Sequence, residues 1–165
     1  MNLKRHGFTI VELLIVIVVI GILAAISIVA YNNIQKNAHD NIVKQDLANF
    51  RKGMEMVKAE LGHYPYSGTE FPASLKISRS SYSTEINHIN YIADAQTDRY
   101  AFGVLSKSGQ GYILTNSELT ETNSPWAANT AQAIGIEWAN GTYRIQGYLT
   151  TREGGWHSSW SLVQP

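Results

Sequence analysis

The feature that most constrains this chain is an uninterrupted apolar run close to its N-terminus. The 18 residues from Leu13 to Ala30 carry no charged side chain, and almost all of them are apolar. A run of this length is sufficient for a helix that crosses the hydrocarbon core of a membrane. Lys4 and Arg5 precede the run, so the positive-inside rule predicts a cytoplasmic N-terminus and an exported remainder.

A single carboxylate, Glu12, comes directly before the apolar run. Ionised side chains in membrane segments are costly to bury, so they usually serve a function and need a partner. Lys4 and Arg5 lie about two helical turns before Glu12. A cut after Gly7 would create a third candidate cation, the free amine of Phe8, four residues before Glu12 and on the same helix face.

Residues 4–16, KRHGFTIVELLIV, resemble the leader and N-terminal motif of type IV pilins and pseudopilins. The resemblance implies that Gly7 ends a short leader, which a prepilin peptidase removes at the cytoplasmic face of the membrane. Phe8 would become the new N-terminus and be N-methylated. Glu12 would neutralise the Phe8 amine of a neighbouring subunit and so set the axial register of a helical filament.

The helical pattern continues beyond the apolar run as far as Leu61. Apolar residues recur mostly three or four positions apart, which predicts one long helix from Phe8 to Leu61 with a single apolar stripe in its second half. Gly62 and Pro65 then indicate its end, and residues 62–65 resemble the G-x-Y-P that closes this helix in many pilins. The stripe consists of Ile34, Ala38, Ile42, Leu47, Phe50, Met54, Val57 and Leu61.

The remaining hundred residues predict a small β-sheet head. Residues 65–90 are rich in Ser, Thr and Asn and favour a loop, with a short helix near 73–77. Residues 100–105 and 112–115 predict a hairpin around a glycine-containing turn. Residues 117–132, which are polar and include a proline, are interpreted as loop.

A second pair of strands is predicted at 134–138 and 142–149, joined by an Asn-Gly turn, and a last strand at 158–163. Four or five antiparallel strands packed on the second half of the helix give an α+β fold. The predicted domains are a leader (1–7), a transmembrane and polymerisation half-helix (8–30), an amphipathic half-helix (31–62) and a globular β head (63–165).

Composition excludes several classes of function. The chain has 165 residues, a formal net charge of zero and no cysteine. It therefore lacks the basic excess of a nucleic-acid-binding domain, and no disulfide can close the head. Many type IV pilins have a C-terminal disulfide loop, so this departure favours a pseudopilin or a pilin lineage without the bridge.

Candidate chemistry in the head is sparse. Asp94 and Asp98 form a weak candidate for calcium, because their spacing lacks the glycine and the distal glutamate of an EF-hand loop. No cofactor, metal site or catalytic arrangement is predicted, so the chain is not expected to be an enzyme. The histidines lie far apart in the sequence, the tryptophans suit packing or a glycan-binding patch, and the Asn140 triplet matches a glycosylation signal. These residues are His6, His39, His63, His88, His157, Trp126, Trp138, Trp156 and Trp160.

The resemblance implies a structural subunit that polymerises through its N-terminal helix into a type IV pilus for adhesion, motility or DNA uptake. Its expected partners are other copies of itself, the prepilin peptidase and methyltransferase, the inner-membrane assembly platform, minor pilins and, before assembly, the membrane. Three alternatives remain open. They are a pseudopilin of a type II secretion or competence machine, an anchored glycan- or surface-binding module, and a secretory signal peptide cut before Ile28.

Overall fold

The computed structural model describes residues 8–66, 70–71, 77–83, 89–136 and 145–148, the last four through their backbone alone. Its elements are α1 (Ile10–Leu61), a 3-10 turn (Arg79–Ser81), β1 (Ile89–Asp94), β2 (Arg99–Leu105), β3 (Gly111–Thr115), β4 (Leu119–Thr122), α2 (Ala127–Gln132) and β5 (Ile145–Tyr148). A long N-terminal helix followed by an antiparallel sheet confirms the α+β class. The chain divides into two compact units, Met1–Lys36 and Asn37–Pro165.

The long helix α1 begins two residues after the predicted start and ends at Leu61 as predicted. Gly62 stops it by adopting a φ of +81°, which glycine reaches without the steric penalty that other residues incur. Its N–H donates a hydrogen bond of 2.9 Å to the carbonyl of Lys58, as in a left-handed helix cap.

The buried stripe of α1 is shorter than predicted. Ile34, Ile42 and Leu61 are 65%, 37% and 47% exposed, so the prediction was wrong at these positions. Burial starts at Val43 and extends to Val57, about four turns of the helix, because the α1 side chains in the core cluster begin at Val43. The buried positions of α1 are Val43, Asp46, Leu47, Phe50, Gly53, Met54 and Val57.

The sheet has five strands in the order β4-β3-β2-β1-β5, and every neighbouring pair is antiparallel. The predicted hairpin is confirmed as β2 and β3, which pair with Val104 opposite Tyr112. The strand predicted at 142–149 contains β5, which pairs with β1.

Three other sequence predictions were wrong. The predicted loop 65–90 runs into β1, which the sequence analysis left unassigned. The predicted loop 117–132 contains β4 and α2. Residues 134–136 form a turn instead of a strand, with Gly135 at a φ of +79°. The predicted helix at 73–77 lies almost wholly outside the described residues, and the strand at 158–163 and the Asn-Gly turn at 140–141 lie wholly outside them.

Both faces of the sheet are covered, which explains why β1 and β3 are buried along their whole length. On one face, alternate residues of β1, β2 and β3, such as Tyr91 and Phe102, pack with Phe50 of α1. On the other face, Ile92 and Ile113 belong to a smaller cluster contributed largely by α2 and the turn after it. The central strands therefore lack the alternation of polar and apolar residues that marks a half-exposed strand.

The buried carboxylate of Asp46 fixes the chain segment around the 3-10 turn against α1. It accepts hydrogen bonds from the Ser78 N–H at 2.6 Å and from the Tyr82 hydroxyl at 3.1 Å. A buried carboxylate needs such donors, because leaving it without partners costs free energy. Burial and the adjacent Asp46 charge raise the pKa of Tyr82 well above its usual value.

Gly103 allows α2 to approach β2, and its replacement gives a testable effect. A Cβ at this position would collide with Oγ1 of Thr130 and lie 2.9 Å from the carbonyl oxygen of Pro125. We expect Gly103→Ala to lower the free energy of unfolding by about 1–3 kcal/mol, the usual cost of overpacking. Urea unfolding of the full chain in detergent measures this loss.

The double variant Gly103→Ala/Thr130→Ala is the matched control. It removes the side-chain clash but not the one with the Pro125 carbonyl, so part of the stability should return. If Gly103→Ala alone left the unfolding midpoint unchanged, the close approach of α2 to β2 would be contradicted.

Candidate functional site

The N-terminus of α1 carries a capping box that the sequence analysis missed. Thr9 precedes the first helical residue, and its Oγ1 accepts a hydrogen bond of 3.2 Å from the N–H of Glu12. In return, Oε2 of Glu12 accepts hydrogen bonds from the Thr9 N–H at 2.9 Å and the Thr9 hydroxyl at 2.7 Å. The Thr-x-x-Glu pattern of residues 9–12 was the available signal.

The capping box fixes the orientation of the Glu12 carboxylate. Two donors from Thr9 occupy Oε2, whereas no residue that the structure describes donates to Oε1. The positive end of the helix dipole also favours a negative charge in the first turn. Glu12 is therefore held in place in a single subunit while one of its oxygens remains open to a further donor.

The side chains that surround Glu12 on α1 are apolar and exposed. From Phe8 to Tyr31 the large apolar side chains are between 48% and 86% exposed, and they occupy every face of the helix. This helix is long and apolar enough to cross a membrane on length and composition. An open groove along it is lined by Ala25, Ile26, Val29, Ala30 and Asn33. Gly7, the predicted end of the leader, lies outside the described residues.

The two aspartates of the weak calcium candidate make hydrogen bonds within the chain. Asp94 accepts from the Gln96 N–H at 2.9 Å and from the Thr97 hydroxyl at 2.6 Å, which closes the turn between β1 and β2. Asp98 accepts from the Tyr64 N–H at 2.9 Å. In the described part of the chain, no three His, Asp or Glu side chains come together as metal ligands would.

Asp98 ties the β1–β2 turn to the end of α1. Besides the Tyr64 N–H, it accepts from the Tyr66 hydroxyl at 3.2 Å and pairs with the Lys58 ammonium at 2.9 Å. Partial burial acts to raise the pKa of Asp98, but the Tyr64 N–H and the Lys58 charge outweigh it and hold the pKa below its usual value. Asp98 has a φ of +49°, which aspartate and asparagine tolerate better than most residues.

This lowered pKa predicts a loss of stability in acid. Just below a pH of about 4, the Asp98 carboxyl group is largely protonated in the unfolded chain but still ionised in the folded chain. The unfolded state therefore binds more protons, and acid favours unfolding. The contribution of Asp98 is fully present above that pH and is lost as the pH falls through the folded pKa. We expect the melting temperature of Asp98→Asn to fall less than that of the parent chain between pH 6 and pH 3.

Glu60→Gln, which alters an exposed carboxylate near the end of the same helix, is the matched control. It should leave the pH dependence of the melting temperature unchanged. Parallel curves for the parent chain and Asp98→Asn would contradict the role of Asp98.

Among the described residues, the other histidines and the tryptophan singled out from the sequence do not converge on one site. His39 lies 3.3 Å from the Ser81 hydroxyl, and His63 stacks on Tyr66 with a centroid distance of 4.5 Å. Trp126, just before α2, is 45% exposed. His6, His88, His157, Trp138, Trp156, Trp160 and Asn140 lie outside the described residues.

The structure thus defines a class of protein with a long helix, apolar on all sides in its first half and capped by a carboxylate, followed by a small antiparallel sheet. Residues 2–28 match the family described as the prokaryotic N-terminal methylation motif. Over 59 residues the chain is 41% identical to fimbrial protein EcpB of Eikenella corrodens. This aligned stretch covers 36% of this chain and 37% of the fimbrial protein. No solved structure matches. Over these two stretches the chain is similar to proteins of the type IV pilin-like family.

Members of this family are typically structural proteins without enzymatic activity. The methylation motif implies processing by a prepilin peptidase. Together with the apolar N-terminal helix, it suggests a membrane precursor and a surface pilus. The matched stretch spans about a third of the length of the fimbrial relative.

Proposed function

We propose that this chain is the major subunit of a type IV pilus, which polymerises through its N-terminal helix at the cell surface. The observation that carries the proposal is the single capped carboxylate of Glu12 on an otherwise apolar and exposed helix. Such a helix needs either lipid or other helices around it, because apolar surface is driven out of water. The filament would serve adhesion, motility or DNA uptake.

The proposed domains each have a separate role. Residues 1–7 are a leader, and residues 8–30 span the membrane and later form the filament core. Residues 31–62 continue the helix into the head, and residues 63–165 form the head on the filament surface. Buried contacts with the sheet begin at Val43, so the helix before that residue retains exposed apolar surface for other subunits.

Glu12 and Phe8 form the proposed assembly pair. After removal of the leader between Gly7 and Phe8, each subunit presents an N-methylated amine and a carboxylate in an apolar setting. An unpaired charge in such a setting is strongly unfavourable, whereas the correct axial stagger of two subunits pairs the two charges. The open Oε1 of Glu12 is the oxygen to which the amine of a neighbour would donate.

In the proposed assembly pathway, the subunit moves from the membrane into the filament. The precursor is a single-pass protein of the cytoplasmic membrane with a cytoplasmic N-terminus. The prepilin peptidase and methyltransferase process it there. The inner-membrane assembly platform, with minor pilins, then transfers it from lipid to the growing filament.

Intact-mass measurement with N-terminal fragmentation, made on protein sheared from the cell surface, tests this proposal. A chain that starts at methylated Phe8 is the expected result. The same strain without its prepilin peptidase is the control and should accumulate a precursor that still begins at Met1. Surface protein that starts at Met1 or Ile28 would contradict the proposal.

The amount and location of filaments separate a pilus from a pseudopilus. Long filaments in the shear fraction at native expression are expected for a pilus subunit. Filaments seen only when the subunit is overproduced would identify a pseudopilin of a secretion or competence machine. A monomer in detergent that never polymerises would identify an anchored binding module.

A further inference from the structure

The strand β4 forms one edge of the sheet, and no strand lies on its outer side in the described part of the chain. Its residues are exposed or half-buried, whereas β1 and β3 are buried along their whole length. Leu119 is 38% exposed, and the side chain of Glu121 is 57% exposed. An exposed strand edge presents backbone groups with which another chain can pair.

The register of β4 on β3 shows which backbone groups point outward. The N–H of Thr115 donates a hydrogen bond of 2.8 Å to the carbonyl of Glu118, which places these two residues at a hydrogen-bonded position of the ladder. Hydrogen-bonded and non-hydrogen-bonded pairs alternate along antiparallel strands. Leu119 and Glu121 therefore belong to non-hydrogen-bonded pairs, so their N–H and C=O groups point away from β3.

The outward backbone groups of Leu119 and Glu121 are available to a partner. Among the residues that the structure describes, none forms a hydrogen bond with these N–H and C=O groups. Every pair of neighbouring strands in this sheet is antiparallel. A segment that continued this pattern would exchange N–H···O=C hydrogen bonds with both residues, which is how extended peptides add to the edge of a sheet.

The side chains of the same two residues indicate the chemistry of such a segment. Leu119 and Glu121 lie opposite Leu114 and Tyr112 of the core cluster, so their side chains point to the face of the sheet that packs on α1. Nζ of Lys44 lies 2.8 Å from Oε1 of Glu121, whereas no described residue donates to Oε2. Side chains directly opposite each other in an antiparallel pair interact, and opposite charges stabilise the pair.

We propose that the outer edge of β4 binds an extended segment of a partner protein, with a basic residue opposite Glu121 and an apolar residue opposite Leu119. In the antiparallel direction, this segment carries the basic residue two positions before the apolar one. Glu118, exposed just before β4, adds negative charge near the edge. A second copy of β4 is a poorer occupant, because its sequence LTET contains no basic residue. This binding site is additional to filament assembly through the N-terminal helix.

The test uses the full chain in detergent, labelled with 15N, and a short synthetic peptide with blocked ends. The peptide has threonine at every position except for a lysine and, two residues later, a valine. The readouts are the chemical shifts and hydrogen-exchange rates of the Leu119 and Glu121 amides. A peptide N-methylated at the lysine and the valine lacks the donors that face β4. A peptide N-methylated at the threonine between them keeps those donors and is the matched control.

We expect the lysine–valine peptide to shift both amides saturably and to slow their hydrogen exchange. N-methylation at the lysine and valine should abolish this response, whereas N-methylation at the intervening threonine should leave it intact. Glu121→Gln should weaken the affinity about threefold, which is typical of one cross-strand charge pair. Glu118→Gln removes the same charge from an exposed position outside β4 and should leave the affinity unchanged at about 0.15 M salt.

Several results would overturn the proposal. The absence of a saturable response would exclude the site, and a response that survives N-methylation at the lysine and valine would reduce it to attraction between side chains. An equal response to a peptide with glutamate in place of lysine would exclude the role of Glu121. Slow exchange at Leu119 and Glu121 that depends on protein concentration without peptide would identify a second copy as the occupant instead. None of these results involves filament assembly, so failure here leaves the pilus proposal untouched.

Discussion

Chains carrying Glu12→Ala are expected to lose their leader normally but to assemble poorly. The variant leaves the Phe8 amine of each subunit without its counter-charge in the apolar filament core, and removing one partner of a buried pair is strongly destabilising. We expect filament yield in the shear fraction to fall on the order of 100-fold. Mass measurement of membrane and shear fractions reports processing and assembly separately.

More conservative variants show whether poor assembly results from loss of the Glu12 charge or from loss of the helix cap. Glu12→Gln keeps the shape and accepts the Thr9 hydrogen bonds but carries no charge, so its yield should lie between those of the parent chain and Glu12→Ala. Thr9→Val keeps the charge but breaks the capping box, which should reduce assembly only roughly fivefold, in line with the loss of a helix cap. Normal polymerisation of Glu12→Ala would rule out the charge pair.

Replacing Phe50 by alanine is expected to cost more stability than any other single change in the head considered above. The Phe50 ring stacks on Phe102 at 4.3 Å between centroids and lies within 6.2 Å of Phe71, Tyr91 and Tyr100. Its truncation removes buried apolar surface and leaves a cavity that rings on β1 and β2 cannot fill without moving. We expect the free energy of unfolding to fall by about 3–5 kcal/mol.

Met56→Ala is the matched control, because Met56 lies on the same helix but is 59% exposed. Its free energy of unfolding should change by no more than about 0.5 kcal/mol. Urea unfolding of the full chain in detergent, followed by near-ultraviolet circular dichroism, measures both variants. A loss below about 1 kcal/mol for Phe50→Ala would show that Phe50 does not hold the sheet on α1.

The long helix was predictable because its signals are local. An apolar run, a period of three to four residues and the stop at Gly62 all lie in one continuous segment, and α1 follows them. The capping box was equally local and could have been found from Thr9 and Glu12 alone. The prediction of the stripe failed at Ile42 and Val43, since the contacts with the sheet decide which face is buried.

The strands were less predictable because both faces of the sheet are covered. β1 shows no alternation, since Tyr91 packs towards α1 and Ile92 towards α2. The short helix α2 did have a signal, because Ala127, Thr130, Ala131 and Ile134 recur at helical spacing. Residues 117–132 were nevertheless predicted to be a loop, because most of them are polar and Pro125 precedes α2.

The sequence by itself determined the apolar helix, its single carboxylate, the methylation motif and the β2–β3 hairpin, because each depends on residues close together in the chain. Only the tertiary structure decided that β1 lies between β2 and β5 and that Asp98 holds the end of α1. The contacts of Asp98 with the end of α1 and the pairing of β1 with β5 join residues from 32 to 58 positions apart, from Tyr66 and Asp98 to Asn90 and Tyr148. Pairing over such distances follows from the packing of the whole head, which no local pattern in the sequence records.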